Sequence, residues 1–162
     1  MRNEGVSFMR ILHLTSICYE LKDFERMISW TERYIALDEP KAFFRMGCYL
    51  IEGAGVEQDI NKGIEYLNKA AEKGEPMAHS ELSRLYAVGE GVEYDEQKSY
   101  YHLREAARLR DPNAEFLLGQ IVWDTNRSTA ISLIQDAASQ WHMGARSFLM
   151  DNGLPLPPTR AE

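Results

Sequence analysis

Four histidines and two cysteines are the residues of this 162-residue chain most suited to chemistry, and their spacing does not arrange them for it. His13, His79, His102 and His142 form no H-x-x-x-H or H-E-x-x-H pattern, the spacing that sets two imidazoles on one helix face around a metal. They read as surface or groove histidines. Cys18 and Cys48 are too few and too far apart for a disulfide framework or a zinc site and read as reduced thiols. Gly53-x-Gly55 and Gly89-x-Gly91 resemble phosphate loops only superficially. They follow helical rather than strand patterns and lack the Lys-Ser/Thr partner, so they read as turns. No nucleophile, base and orienting group come together in sequence, so the expectation is a non-enzyme with no catalytic residue, cofactor or metal.

Those two glycine turns belong to a repeat. Ala42-x-x-x-Met46-Gly47-x-x-Leu50-x-x-Gly53-x-Gly55-Val56 recurs as Ala78-x-x-x-Leu82-x-x-x-Tyr86-x-x-Gly89-x-Gly91-Val92, 36 residues on. Asp59, Lys62, Ala70, Ala71 and Pro76 recur at the same offset as Asp95, Lys98, Ala106, Ala107 and Pro112. Self-similarity at such a period marks a solenoid, whose units bury one another's apolar faces.

Within a unit, Ala42, Met46, Tyr49 and Leu50 sit at helical spacing, and Gly53 and Gly55 stop that helix. Asp59 is placed to cap a second helix with Ile60, Ile64, Leu67, Ala70 and Ala71 on one face. Gly74 ends it, and Pro76 suits the first turn of the next helix. Asp111-Pro112 opens a third, shortened copy, in which Ala114, Leu118 and Gly119 precede Ala137-Ala138. Asp124 to Arg127 replaces the glycine loop there, with Ser128 expected as the cap of the following helix. A fourth copy starts at Ala145, reaches Leu149 and stops, as a terminal cap.

Residues 6–38 read as two amphipathic helices broken near Lys22-Asp23, with Leu14, Phe24, Ile28, Ile35 and Leu37 inward. The tail after Asn152 holds Leu154-Pro155-Leu156-Pro157-Pro158, which excludes helix and favours polyproline II. Three readings of it stay open: a disordered terminus, a segment packed on the last helix, or a short ligand for another domain. The Tyr100-Tyr101 pair is expected to bury at least one ring. The domain division is 1–41, a divergent N-terminal hairpin; 42–150, the repeats and capping helix; and 151–162, the tail.

Net charge is −7 and the pI about 5.2, which argues against nucleic acid as a partner. No apolar run is long enough for a bilayer span, and Met1 to Glu20 lacks the basic cluster and small-residue cleavage site of a signal peptide. Val6 to Ile17 is apolar but interrupted by Arg10 and His13. The expectation is a cytoplasmic protein with no membrane or nucleic-acid partner.

The pattern A-x-x-x-L-G-x-x-Y-x-x-G-x-G-V-x-x-D-x-x-K-A…K-A-A-x-x-G resembles the Sel-one-like repeat, a relative of the tetratricopeptide repeat, from Ala42 to about Met150. Residues 9–41 resemble a divergent tetratricopeptide hairpin through Tyr19-x-x-x-x-Phe24 and Leu37-Asp38. Departures are Ser83 for Gly, Leu50 for Tyr, and Gly63 and Ser99 for Ala. The resemblance implies an all-α, right-handed superhelical solenoid of helical hairpins, whose first helices line a concave face. It implies Phe44, Cys48, Ile51 and Glu52 in that groove, then Ser80, Arg84, Ala87 and Val88, then Phe116, Gln120, Trp123 and Asp124. The N-terminal hairpin adds Leu12, Ser16, Tyr19 and Glu20. Phe44, Phe116 and Trp123 either line the groove or pack on the neighbouring hairpin. Arg84 is expected in the groove between Cys48 and Gln120, as unpaired buried arginine is rare. Secreted relatives tend to carry a cysteine pair in each repeat; its absence here agrees with an intracellular protein.

The function implied is a non-enzymatic protein–protein interaction module. Its specific form is a bacterial cytoplasmic immunity protein that binds and neutralises a cognate toxin, suggested by the small stand-alone solenoid, the acidic charge and the lack of an export signal or fused domain. The alternative is a general adaptor, scaffold or regulator of a larger protein assembly.

Overall fold

The first helix after the N-terminal turn begins where Asp23 accepts a hydrogen bond from the Arg26 backbone N–H at 3.3 Å. The computed structural model describes residues 17–158; Leu12, Leu14, Ser16 and the rest of 1–16, with 159–162, lie outside the described residues. Within those bounds all regular structure is helical: residues 17–20 are helical, followed by α1 Phe24–Ile35, α2 Pro40–Glu52, α3 Ile60–Glu72, α4 Pro76–Val88, α5 Glu96–Arg108, α6 Pro112–Ile121, α7 Arg127–Ser139 and α8 Met143–Asp151. The chain divides into two compact units, Met1–Lys73 and Gly74–Glu162. In the first, α1 packs on α2 and α2 on α3; in the second, α4 to α8 each pack on the next.

The repeat's punctuation works as its residue types require. Asp59 and Asp95 accept from the backbone N–H three residues on, at 3.0 and 2.9 Å, and start α3 and α5. Pro40, Pro76 and Pro112 open α2, α4 and α6, where no backbone N–H is needed. Asp111 caps α6 twice, accepting from Asn113 and Ala114. The cap of α7 is Asn126, which accepts from Thr129 N–H at 3.2 Å, and not Ser128; Ser128 lies inside the helix.

Each hairpin closes at a pair of small residues. A Cβ built on Gly63 would lie 2.9 Å from the Gly47 carbonyl oxygen and 2.6 Å from Ile51. One repeat later the same positions are Ser83 and Ser99, whose hydroxyls hydrogen-bond at 3.2 Å. In the third they are Gly119 and Ala130, with Ile134 against the glycine. Small side chains let the helix axes approach, and Leu67, Leu103 and Ile134 seal the seam.

The rest of the core follows the apolar stripes. Met46, Leu50, Leu82, Leu85 and Leu149 are buried, as are the Ala70-Ala71, Ala106-Ala107 and Ala137-Ala138 pairs. In the first unit Gly55, at φ +75°, lies against Phe24, so the glycine turn seats α1. Leu37 departs from expectation. It is 67% exposed, because it falls in the turn after α1 rather than on its inward face. Neither ring of Tyr100-Tyr101 is in the core; both are exposed. The tail is held at its start: Leu154 donates its N–H to the Leu149 carbonyl at 2.8 Å and packs on the α7–α8 cluster.

One buried carboxylate interrupts this apolar interior. Glu115 on α6 is fully buried and accepts from Gln140 Nε2 at 2.8 Å. Arg110 Nη1 stands 2.9 Å from its other oxygen, which has no hydrogen-bond donor in line. Arg110 also pairs with Asp136 through its two terminal guanidinium nitrogens, at 3.0 and 3.1 Å. Burial therefore raises the Glu115 carboxyl to about 7 despite the nearby guanidinium.

Three outcomes are expected. Leu82→Ala opens a cavity at a fully buried site and should cost about 2–5 kcal/mol in urea titration; a loss below about 1 kcal/mol would show that the position is not core. Gly63→Ala should destabilise by about 1–3 kcal/mol, since the clash with a backbone carbonyl outweighs the ordinary helical gain of alanine. Because native Glu115 holds its proton more tightly than the unfolded chain, its stabilising contribution is complete below about pH 4.5 and is lost as pH rises through about 7. The stability of Glu115→Gln relative to wild type should therefore rise by the order of 1–3 kcal/mol across that window. A pH-independent difference would refute the burial argument.

Candidate protein-binding groove

Helices α4 and α6 both pack on α5, and the space between them opens as a groove of about 620 Å³. Ser80, Arg84 and Ala87 line it from α4, with Glu96, Tyr100 and Leu103 from α5. Asn113, Leu117 and Ile121 line it from α6, one residue per turn. The surface is mostly apolar. Leu117 and Ile121 are 47% and 52% exposed and Tyr100 is 40% exposed, although each has an apolar side chain or ring. Apolar groups left accessible along a concave strip mark a place where a partner removes them from water.

Arg84 lies on this groove, but it is neither buried nor unpaired. Its guanidinium donates to Glu81 at 2.7 and 2.9 Å and to Glu90 at 2.7 Å, which holds its proton more firmly than usual. These are exposed ion pairs of small energetic value, and they orient the side chain rather than hold the fold.

Of the residues expected in the groove, Ser80, Arg84 and Ala87 line it, and exposed Val88 lies at the end of α4. Gln120 does not flank Arg84; Leu117 and Ile121 do the lining from α6. Phe116 packs on the α7–α8 cluster, edge to face with Phe148 at 6.0 Å and against His142 at 4.8 Å. Trp123 joins it, 4.7 Å from Phe148, with Arg127 over its ring at 3.5 Å. Asp124 is exposed in the following turn. In the first unit Ile51 is 5% exposed and belongs to the core, because it packs into the seam beside Gly63. Phe44 and Cys48 are half-buried on α2. Tyr19 is exposed, stacks on Tyr49 at 6.5 Å and reaches Glu52 through its hydroxyl at 3.5 Å; Glu20 is also exposed.

The histidines are more organised than their spacing suggests. Buried His79 on α4 and half-buried His102 on α5 place their Nδ1 atoms 2.9 Å apart. His102 also stacks on Tyr86 at 5.7 Å. Burial, then the neighbouring imidazole, pushes His102 down to about 4, so His102 is held neutral. His142 caps α8, accepting from Ala145 N–H at 3.0 Å. No sequence signal announces the His79–His102 pair, because 23 residues and a turn separate two helices that meet only in the hairpin. Among the described residues no three His, Cys, Asp or Glu side chains gather as a metal site, Cys18 and Cys48 form no disulfide, and no helix is long and apolar enough to cross a membrane.

Comparison with known proteins agrees with this geometry. The Sel1 repeat family matches at residues 40–75 and 76–111. A Sel1 repeat protein from Oxalobacter formigenes overlays with a TM-score of 0.74 at 26% identity, covering 95% of this chain and 69% of that one. A protective antigen of uropathogenic Escherichia coli, displaying an SLR fold, overlays with a TM-score of 0.70 at 24% identity. That match covers 90% of this chain but 34% of the antigen, so it speaks to the fold. An immunity protein of Pseudomonas aeruginosa gives a TM-score of 0.45 at 18% identity, too distant to bear on function. No curated protein matches the sequence. Sel1 repeats are typically non-catalytic scaffolds for protein–protein interaction. Two Sel1 repeats at 40–111 and the hairpin solenoid fold of its structural neighbours are what this chain shares with Sel1-repeat proteins.

Proposed function

We propose that the α4–α5–α6 groove is the docking surface of a non-enzymatic binding module, and that the module is a bacterial cytoplasmic immunity protein that binds and neutralises a cognate toxin. The observation that carries the docking role is the exposure of Leu117, Ile121 and Tyr100 along one concave strip of an otherwise well-packed unit. A helical-hairpin scaffold holds such a strip in place with little ordering cost on binding. The acidic charge of −7 supports a basic protein partner and speeds encounter with it. Ser80, Arg84 and Val88 flank the strip; Tyr19, Phe44, Cys48 and Glu52 offer a separate patch on the first unit.

Co-expression with the product of the adjacent gene tests both levels. The expected result is relief of that product's toxicity and a one-to-one complex. Leu117→Asp should weaken the complex by at least about 2 kcal/mol, the scale of an interface hot spot, with little change in melting temperature. Weak binding to several unrelated proteins, with no toxic neighbour, would instead mark a general adaptor. Undiminished binding by Leu117→Asp would move the docking surface elsewhere.

A further inference from the structure

The α4–α5–α6 groove has apolar walls and an acidic edge. Arg84 is the only cation among its lining residues, and its charge is already met by two carboxylates of this chain, Glu81 and Glu90. Glu96, in the first turn of α5, lines the same groove and makes no ion pair among the described residues. Glu96 thus stands on the groove itself beside the exposed Tyr100, Leu117 and Ile121, while Glu81 and Glu90 reach the groove only through Arg84, so three carboxylates stand against one guanidinium. A carboxylate beside an apolar wall is less screened than one in open water once a partner covers it. Left uncovered by a cation it would be desolvated at a cost, so this edge selects by repulsion as well as by attraction.

We propose that the groove takes a basic, amphipathic segment of a partner protein, whose apolar side chains lie on Leu117, Ile121 and Tyr100 while a lysine or arginine meets Glu96. This assignment rests on the groove being the docking surface. A second cationic residue of the segment meets the outer edge of the Glu81–Arg84–Glu90 cluster. An acidic segment finds no open cation there, because both ends of the Arg84 guanidinium are occupied.

The test uses the full-length chain and two short fluorescent amphipathic peptides with one leucine pattern, carrying lysine at every polar position in one and glutamate in the other. The lysine peptide should bind at least about tenfold more tightly by anisotropy. Glu96→Lys should weaken it by a similar factor, and Leu117→Asp should weaken it through lost apolar contact. Glu65→Lys on exposed α3 changes net charge equally and should alter binding less than about twofold, separating a local site from general charge attraction. Equal harm from Glu65→Lys and Glu96→Lys would overturn the proposal. Preferential binding of the glutamate peptide, abolished by Leu117→Asp, would overturn the charge assignment and leave the groove standing. Binding of neither peptide would overturn both.

Discussion

The close crossing of the two helices in each hairpin governs the rest of this molecule. At Gly47 and Gly63 the backbones approach so nearly that a single methyl group would meet a carbonyl oxygen. The second hairpin replaces the glycines by Ser83 and Ser99 and recovers the approach through a hydroxyl–hydroxyl hydrogen bond. The third returns to Gly119, opposite Ala130. This short separation brings Leu67, Leu103 and Ile134 into contact with the facing helix and buries them. Packing in proteins has little slack, so a change at the crossing is transmitted to the outer surface.

A second constraint recurs at the end of each hairpin. Asp38, Gly74, Arg110 and Trp141 occupy the same place in the repeat, and all four have positive φ, between 62° and 82°. Only one of them is glycine, the residue for which that conformation is free of strain. The turn is dictated by the packing of the next helix, and the side chains adapt to it. Lys73 beside this turn pairs with Asp38 at 2.6 Å. Arg110 is aimed at Asp136 and leaves Glu115 incompletely compensated.

The groove shows why equivalent positions do not meet. Units in a stack are related by translation and rotation, so a given repeat position faces the same way in every unit. Ser80, Arg84 and Ala87 look toward α6, but their counterparts Phe116, Gln120 and Trp123 look onward, and Phe116 and Trp123 meet α8. The opposite wall of the groove comes from a different face of α6, that of Asn113, Leu117 and Ile121. Reading one face from each helix identifies one wall correctly and assigns the other to residues that pack elsewhere. Leu117 and Ile121 carry no distinguishing local signal, being apolar residues on a helix that is apolar nearly all round.

By itself the sequence determined the hairpins, their order and their ends. Repeated apolar stripes demand burial at helical period, Asp and Pro start helices for local hydrogen-bonding reasons, and glycine stops them through its access to positive φ. These are interactions within a few residues, which a sequence states directly. Tertiary structure alone decided that Ile51 is core, that Leu37 is exposed, that Arg84 is neutralised by Glu81 and Glu90, and that His79 meets His102. It also decided that Glu115 is buried and that Leu117 and Ile121 are the exposed apolar wall. Each depends on which neighbour a helix face meets across a turn or a stack. That is fixed by the distance and rotation between helices, quantities that no stretch of local sequence encodes.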